Sequence, residues 1–246
     1  MLIGRIQTSG GVVHVRVEGD TLVPIDDPYA AFSAGNQPTD VGAPLGAGSA
    51  TVLAPSAPLV VVGIAQNGPA HDSPVQGWLK SPRSIIGSDE PVTLRRDAGQ
   101  TVAEAEIAIV IGRQTHGLTA ENAHEYVLGV TAVNDLSSPD RGAWDPRNFE
   151  SKAGEGYTPL GPWIDTEASI DTVSSHLRID GAIVAETSAA ELPTSIRETL
   201  AYLARWIPLG SGDVVMTGAP FTRATITPGA LVEVQVGEVV LRTPTA

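Results

Sequence analysis

The 246-residue chain has no cysteine, which excludes a disulfide framework, a thiolate zinc site and a cysteine nucleophile. No uninterrupted apolar run approaches the roughly 18 residues that mark a membrane-spanning helix. The opening residues, MLIGRIQTSGG, lack the apolar stretch of a signal peptide. Charge is sparse: 17% of residues are charged, against about 25% in a typical soluble protein. Basic residues are sparser still, 15 against 28 acidic, for a net charge of −13. Phosphate binding is supplied by excess Lys and Arg, so nucleic acid is not an expected partner. What is present is 42% hydrophobic residues and a mean hydropathy of +0.06, enough to bury a substantial core and to exclude disorder as the main state. The expectation is a cytoplasmic globular protein without a membrane or nucleic-acid partner.

Lysine is the rarest charge. Only Lys80 and Lys152 occur, beside thirteen arginines. Compositional drift toward arginine is one reading. The other is that each ammonium performs a point-charge task that a planar guanidinium cannot.

Hydrophobic patterning predicts short strands at Leu2–Gln7, Val12–Glu18 and Thr21–Ile25, then a short helix around Asp27–Ala34. Gly35–Pro58, rich in Gly, Pro, Ala, Ser and Thr, reads as a connector. Beyond it, strands are predicted at Leu59–Ile64, Glu104–Ile111, Val130–Asn134, His176–Ile179, Val214–Thr217 and Leu231–Val236, with a hairpin at Asp180-Gly181. Two helices are predicted: Ala120–Leu128, capped by Thr119 and ended by Gly129, and Ile196–Trp206, opened by Ser195 and Glu198 in capping-box spacing. The class is a β-rich α+β protein, with a small N-terminal unit at 1–58 and a large one at 59–246.

The run from Glu104 to Gly112 carries the chemistry. On a strand, Ala105, Ile107, Ile109 and Ile111 share one face, while Glu104, Glu106, Ala108 and Val110 share the other. Two carboxylates on a face continued by apolar residues are costly unless a cation lies between them, and hard divalent ions take carboxylate oxygens. Asp135, closing the strand Val130–Asn134, is the candidate third ligand. An exposed edge paired to arginines would explain the same spacing. Asp213 reads as a turn former, His116 and His124 as surface residues, and His14 and His176 as structural.

Six segments, in order, resemble the fumarylacetoacetate hydrolase superfamily across residues 60–241. They are Val61–Ile64, Trp78-Leu79-Lys80-Ser-Pro-Arg-Ser84, Glu104-Ala-Glu106 with its following Ile-Gly-Arg113, Asn134-Asp-Leu-Ser137, Lys152 with Pro159–Trp163, and Leu209–Asp213 with Thr217-Gly-Ala-Pro220. The resemblance implies a β-roll or mixed-sheet C-terminal domain and a Mg²⁺ or Mn²⁺ site at Glu104, Glu106 and Asp135. It also implies that Lys152 and Thr217 line a substrate pocket, with Lys80, Gln66 and Arg141 nearby, and that the protein is a homodimer. Arg141 is a stand-in for the arginine expected where Pro139 occurs, and Glu155 stands where an aspartate usually follows the family lysine.

The water-activating histidine and glutamate of hydrolytic members fall, ungapped, on Pro69 and Asp72, while His71 comes two positions late. His71 and Asp72 therefore read either as a displaced water-activating pair or as a polar loop tip. The implied function is a metal-dependent catabolic enzyme of small 2-oxo or β-diketo acids, with C–C hydrolysis of an acylpyruvate-like substrate first. Decarboxylation or keto–enol isomerisation at the same metal is the alternative. A silent, ligand-binding member is the alternative of another class, opposed by intact Glu104, Glu106, Asp135 and Lys152.

Overall fold

The computed structural model describes residues 1–65, 75–142 and 144–246. The long strand Thr101–Ile111 lies at the centre of a twelve-stranded sheet. Val127–Asn134 pairs antiparallel along one side of it, with Ala132 opposite Ile107. Val214–Met216 pairs antiparallel on the other side and then runs parallel to Val61–Ile64, which pairs in turn with Gly77–Lys80. The N-terminal strands Leu2–Thr8, Gly11–Glu18 and Thr21–Ile25 extend the same sheet through Ile164–Asp165.

A second, four-stranded sheet runs in the order Ala182–Ser188, Ser174–Ile179, Leu231–Val236, Val239–Pro244. Its alternating buried residues, Val232, Val234, Val236, Val239 and Leu241, form one apolar cluster with Ala105, Ile107, Ile109 and Ile111. Each fully buried branched side chain contributes roughly 1.5–3 kcal/mol of transfer free energy, so this layer holds the central strand in place. The opposite face of that strand is buried too. Ala108 packs with Val133, Leu160 and Met216, and Val110 with Ile3, Leu128 and Ile164.

The Asp180-Gly181 hairpin forms as expected, with φ of 51° and 83° at its two turn residues. So does the helix Ile196–Ala204, with both halves of its Ser195/Glu198 capping box made and Arg205 at its end, two residues short of the predicted span. The Ala120–Leu128 helix does not form. Only a 3₁₀ turn, Ala123–Tyr126, exists, and the strand already begins at Val127. There the largely apolar segment from Val127, with β-branched Val127, Val130, Thr131 and Val133, pairs along the central strand, with Val127 opposite Ile111. Asn122, rather than Thr119, closes the turn by accepting the Thr119 N–H at 2.7 Å. Gly129 ends no helix; a Cβ there would lie 2.4 Å from the Asp165 carbonyl oxygen, so close strand approach requires glycine. Among the described residues no helix is long and apolar enough to cross a membrane.

Candidate metal and substrate site

The alternation of the central strand places Glu104 and Glu106 on one face, two residues apart. Asp135 joins them because the neighbouring strand ends at Asn134, directly opposite Ala105, and the Asp135 N–H donates to the Glu104 carbonyl at 2.9 Å. One carboxylate oxygen from each of Glu104, Glu106 and Asp135 falls within 4.8 Å of the others. Glu106 and Asp135 are buried and Glu104 nearly so. The exposed-edge explanation of the Glu104/Glu106 spacing is thereby replaced by an inward-facing cluster.

Both lysines of the chain reach this cluster. Lys80, the last residue of the strand Gly77–Lys80, is wholly buried and donates to Asp135 Oδ1 and, at 2.6 Å, to the Tyr157 carbonyl. Lys152, the last residue of the short helix Phe149–Lys152, donates to Glu104 Oε2 at 2.6 Å and to Asp135 Oδ2. That helix is fixed from beneath by Asp145, whose carboxylate accepts the N–H groups of Glu150 and Ser151 at 2.7 and 3.0 Å. The Trp78 indole stands 5.7 Å from Lys152 Nζ and 6.0 Å from Lys80 Nζ, within cation–π range. It can do so because Gly63, opposite it on the next strand, offers no side chain; a Cβ there would lie 2.5 Å from the ring.

Glu106 is placed differently. Its Oε2 accepts the backbone N–H of Gly218 at 2.7 Å, and no lysine bonds to it. Burial and then the nearby Asp135 charge push its carboxyl well above the usual carboxylate range, with Lys152 only partly opposing. Burial also opposes the charge on Asp135, but Lys152 and Lys80 outweigh it and hold that carboxyl below the usual range. For Lys152, burial is overcome by Asp135, Glu104 and Glu106, and its pKa is raised. For Lys80, burial prevails over the attraction of Asp135, and its pKa is lowered.

Three carboxyl groups face two ammonium groups, and Glu106 is the one to which neither lysine bonds. A compact, all-oxygen, net-negative donor set fits a hard divalent cation. The cluster forms the floor of a cavity of about 420 Å³, whose walls include Trp78, Asn148, Ala219, Pro220 and Arg223.

Among the predicted site residues, Glu104, Glu106, Asp135 and Lys152 line this cavity, and Lys80 supports it from behind. Thr217 does not line it. Its hydroxyl donates to the Ile107 carbonyl at 2.9 Å, fixing the backbone just before Gly218. Arg141 is ion-paired with Glu150 and also lies outside the lining. Gln66, His71 and Asp72 lie outside the described residues. Asp213 is the turn former expected, accepting from Leu59, Val60 and Gly210 N–H groups. Asn148 and Arg223 carry no local sequence signal, and Gly218 belongs to the Thr217-Gly-Ala-Pro220 segment without any role assigned to it; strand register and turn geometry bring all three to the cavity.

The family model for the fumarylacetoacetate (FAA) hydrolase C-terminal domain matches residues 52–244, and that for the Rv2993c-like N-terminal domain matches residues 1–55. The chain is 35% identical to a 4-hydroxyphenylacetate degradation bifunctional isomerase/decarboxylase of Salmonella dublin, over 62% of this chain and 36% of that protein. It is 30% identical to a maleylpyruvate hydrolase of Aquipseudomonas alcaligenes, over 62% of this chain and 53% of that one. These matches thus span only about a third to a half of those two relatives. The crystal structure of a 5-carboxymethyl-2-hydroxymuconate delta-isomerase from Mycobacterium smegmatis aligns with a TM-score of 0.92 at 30% identity, covering 100% of this chain and 99% of that one.

Proposed function

The chain belongs to the fumarylacetoacetate hydrolase family, and on that premise we propose that it is a divalent-metal enzyme that draws small 2-oxo or β-diketo acids to their enolates, its leading reaction being C–C hydrolysis of an acylpyruvate-like substrate. One observation carries the reading. Lys152 Nζ is bonded to both Glu104 and Asp135 at the floor of an open cavity, so a cationic donor stands beside the carboxylate trio where a substrate oxygen would become negative.

Glu104, Glu106 and Asp135 would hold the ion, Mg²⁺ or Mn²⁺. Bound there, it supplies Lewis-acid polarisation of a carbonyl or carboxylate oxygen. The chain's own groups do the rest. Lys152 has three N–H donors and two are used by the carboxylates, leaving one to stabilise a developing enolate. Lys80 and the Gly218 N–H keep Asp135 and Glu106 oriented. Trp78 shields the ammonium groups from water on one side. In hydrolysis, water adds to the distal acyl carbon, the C–C bond breaks, its electron pair passes to the pyruvate enolate, and a proton completes the product. His71 and Asp72 are the proposed water-activating pair.

A second reading, keto–enol isomerisation or decarboxylation, is favoured by the displaced position of His71 and by the full-length likeness to an isomerase. Both retain the same metal and Lys152. Homodimeric assembly, a cytoplasmic location and a catabolic role are part of the proposal and rest on the family.

Product analysis by mass spectrometry, with and without EDTA, tests it on a panel of acylpyruvates, fumarylpyruvate and oxaloacetate. EDTA-sensitive release of pyruvate and a carboxylic acid supports hydrolysis. EDTA-sensitive CO₂ loss or enol–keto exchange alone supports the second reading. Activity indifferent to EDTA contradicts both. In the hydrolytic case His71→Ala lowers hydrolysis at least about tenfold more than CO₂ release, as expected when general-base help is removed.

A further inference from the structure

Arg223 opens the strand Arg223–Ile226, which pairs antiparallel with the first half of the central strand and sets Arg223 directly opposite Glu104. Directly opposed residues point to the same face, so Arg223 rises on the carboxylate side and lines the cavity. Its Nε lies 3.6 Å from Glu104 Oε1, and its side chain is 50% exposed. That is its one ion pair among the described residues, and it is longer than a hydrogen bond.

The other two cations near the cavity are tied to the carboxylate cluster. Lys152 is bonded to Glu104 and Asp135, and Lys80 is sealed against Asp135 and the Tyr157 carbonyl. Glu104 already has Lys152 at 2.6 Å, so a half-exposed guanidinium a further ångström away adds little as its counter-ion. Most of the Arg223 fork is therefore available to a ligand. The lining of the same cavity also includes the apolar Ile64, Ala65, Ala219 and Pro220. A cavity that joins a carboxylate cluster fit for a metal, an arginine with free donors and an apolar wall matches a short carbon chain carrying an acid group at each end. Such a local cation is also what a dianion requires in a chain of net charge −13.

We propose that Arg223 is a specificity-determining residue that binds the second, distal carboxylate of the substrate, so that 2-oxo dicarboxylic acids are preferred over the corresponding monoacids. The guanidinium and carboxylate would meet as two parallel N–H···O bonds, a geometry lysine cannot reproduce. The inference rests on the proposed function for the role of the floor, but its test does not require turnover.

Calorimetry of the Mn²⁺-loaded protein compares matched pairs: oxaloacetate with 2-oxobutyrate, 2-oxoglutarate with 2-oxovalerate, and 2-oxoadipate with 2-oxohexanoate. The wild type is expected to bind at least one diacid about tenfold or more tighter than its monoacid, the usual scale of a charged hydrogen-bonded pair. R223M should collapse that ratio to about one, and R223K should restore only part of it. A Mn²⁺ titration of R223M identifies the opposing case. Altered metal affinity with equal weakening of diacid and monoacid would assign Arg223 to Glu104 and overturn the inference, as would a wild-type ratio near one or no binding of either. A wild-type diacid preference abolished by R223M, in a protein that turns over no 2-oxo acid, would support the Arg223 assignment and defeat the enzymatic reading alone.

Discussion

Lys80 is fully buried and meets Asp135 from the side away from the cavity, tying the end of the strand Gly77–Lys80 to the third carboxylate of the site. The pair is structural as well as functional, since the same ammonium also satisfies the Tyr157 carbonyl. Lys80→Met should therefore destabilise the fold by about 3–5 kcal/mol, the cost of stranding a buried charge. Chemical denaturation measures it. A loss below about 1 kcal/mol would show that Asp135 is held by Lys152 alone.

Lys152 makes a different prediction, because it borders the cavity. Lys152→Ala should lower kcat by about 10²- to 10³-fold, the scale of a lost preorganised donor, and Lys152→Arg should not restore it. Single-turnover kinetics on the best substrate of the panel provide the check.

Glu106 predicts a pH dependence. Its folded pKa is raised above the ordinary 4.5, so between that value and the folded one the folded state binds more protons than the unfolded state. Stability of the metal-free protein is then lost as pH rises through this window, by up to about 1.4 kcal/mol per pH unit. Asp135 acts in the opposite sense and in a separate window: its folded pKa lies below the ordinary 3.8, so its contribution is complete above that value and is lost only as pH falls below it. In EDTA, Glu106→Gln should become progressively more stable than wild type as pH rises above 4.5. Saturating Mn²⁺ should reverse the order. Thermal unfolding across pH decides it.

Gly63→Ala tests the aromatic wall. The added Cβ would meet the Trp78 ring at 2.5 Å, so the indole or the strand must shift. The expected result is about 1–3 kcal/mol of destabilisation together with weaker substrate binding. Unchanged binding would show that Trp78 does not shape the site.

Much of the site is legible in local sequence because strand periodicity is local. The alternation from Glu104 to Ile111 assigns both faces of the central strand, and the scarcity of lysine singles out Lys80 and Lys152. What is illegible depends on distant pairing. Arg223 reaches Glu104 only through strand register, and Gly218 reaches Glu106 across 112 positions. The helix expected at Ala120–Leu128 loses for the same reason: its cap and terminator were local signals, and a partner strand outweighed them.

The most direct test of the account is a calorimetric titration of Mn²⁺ into the EDTA-treated protein and into Glu106→Ala. One ion per chain is expected for the wild type and none for the variant. Retained stoichiometric binding by Glu106→Ala, or no binding by the wild type, would contradict the assignment of Glu104, Glu106 and Asp135 as a metal centre.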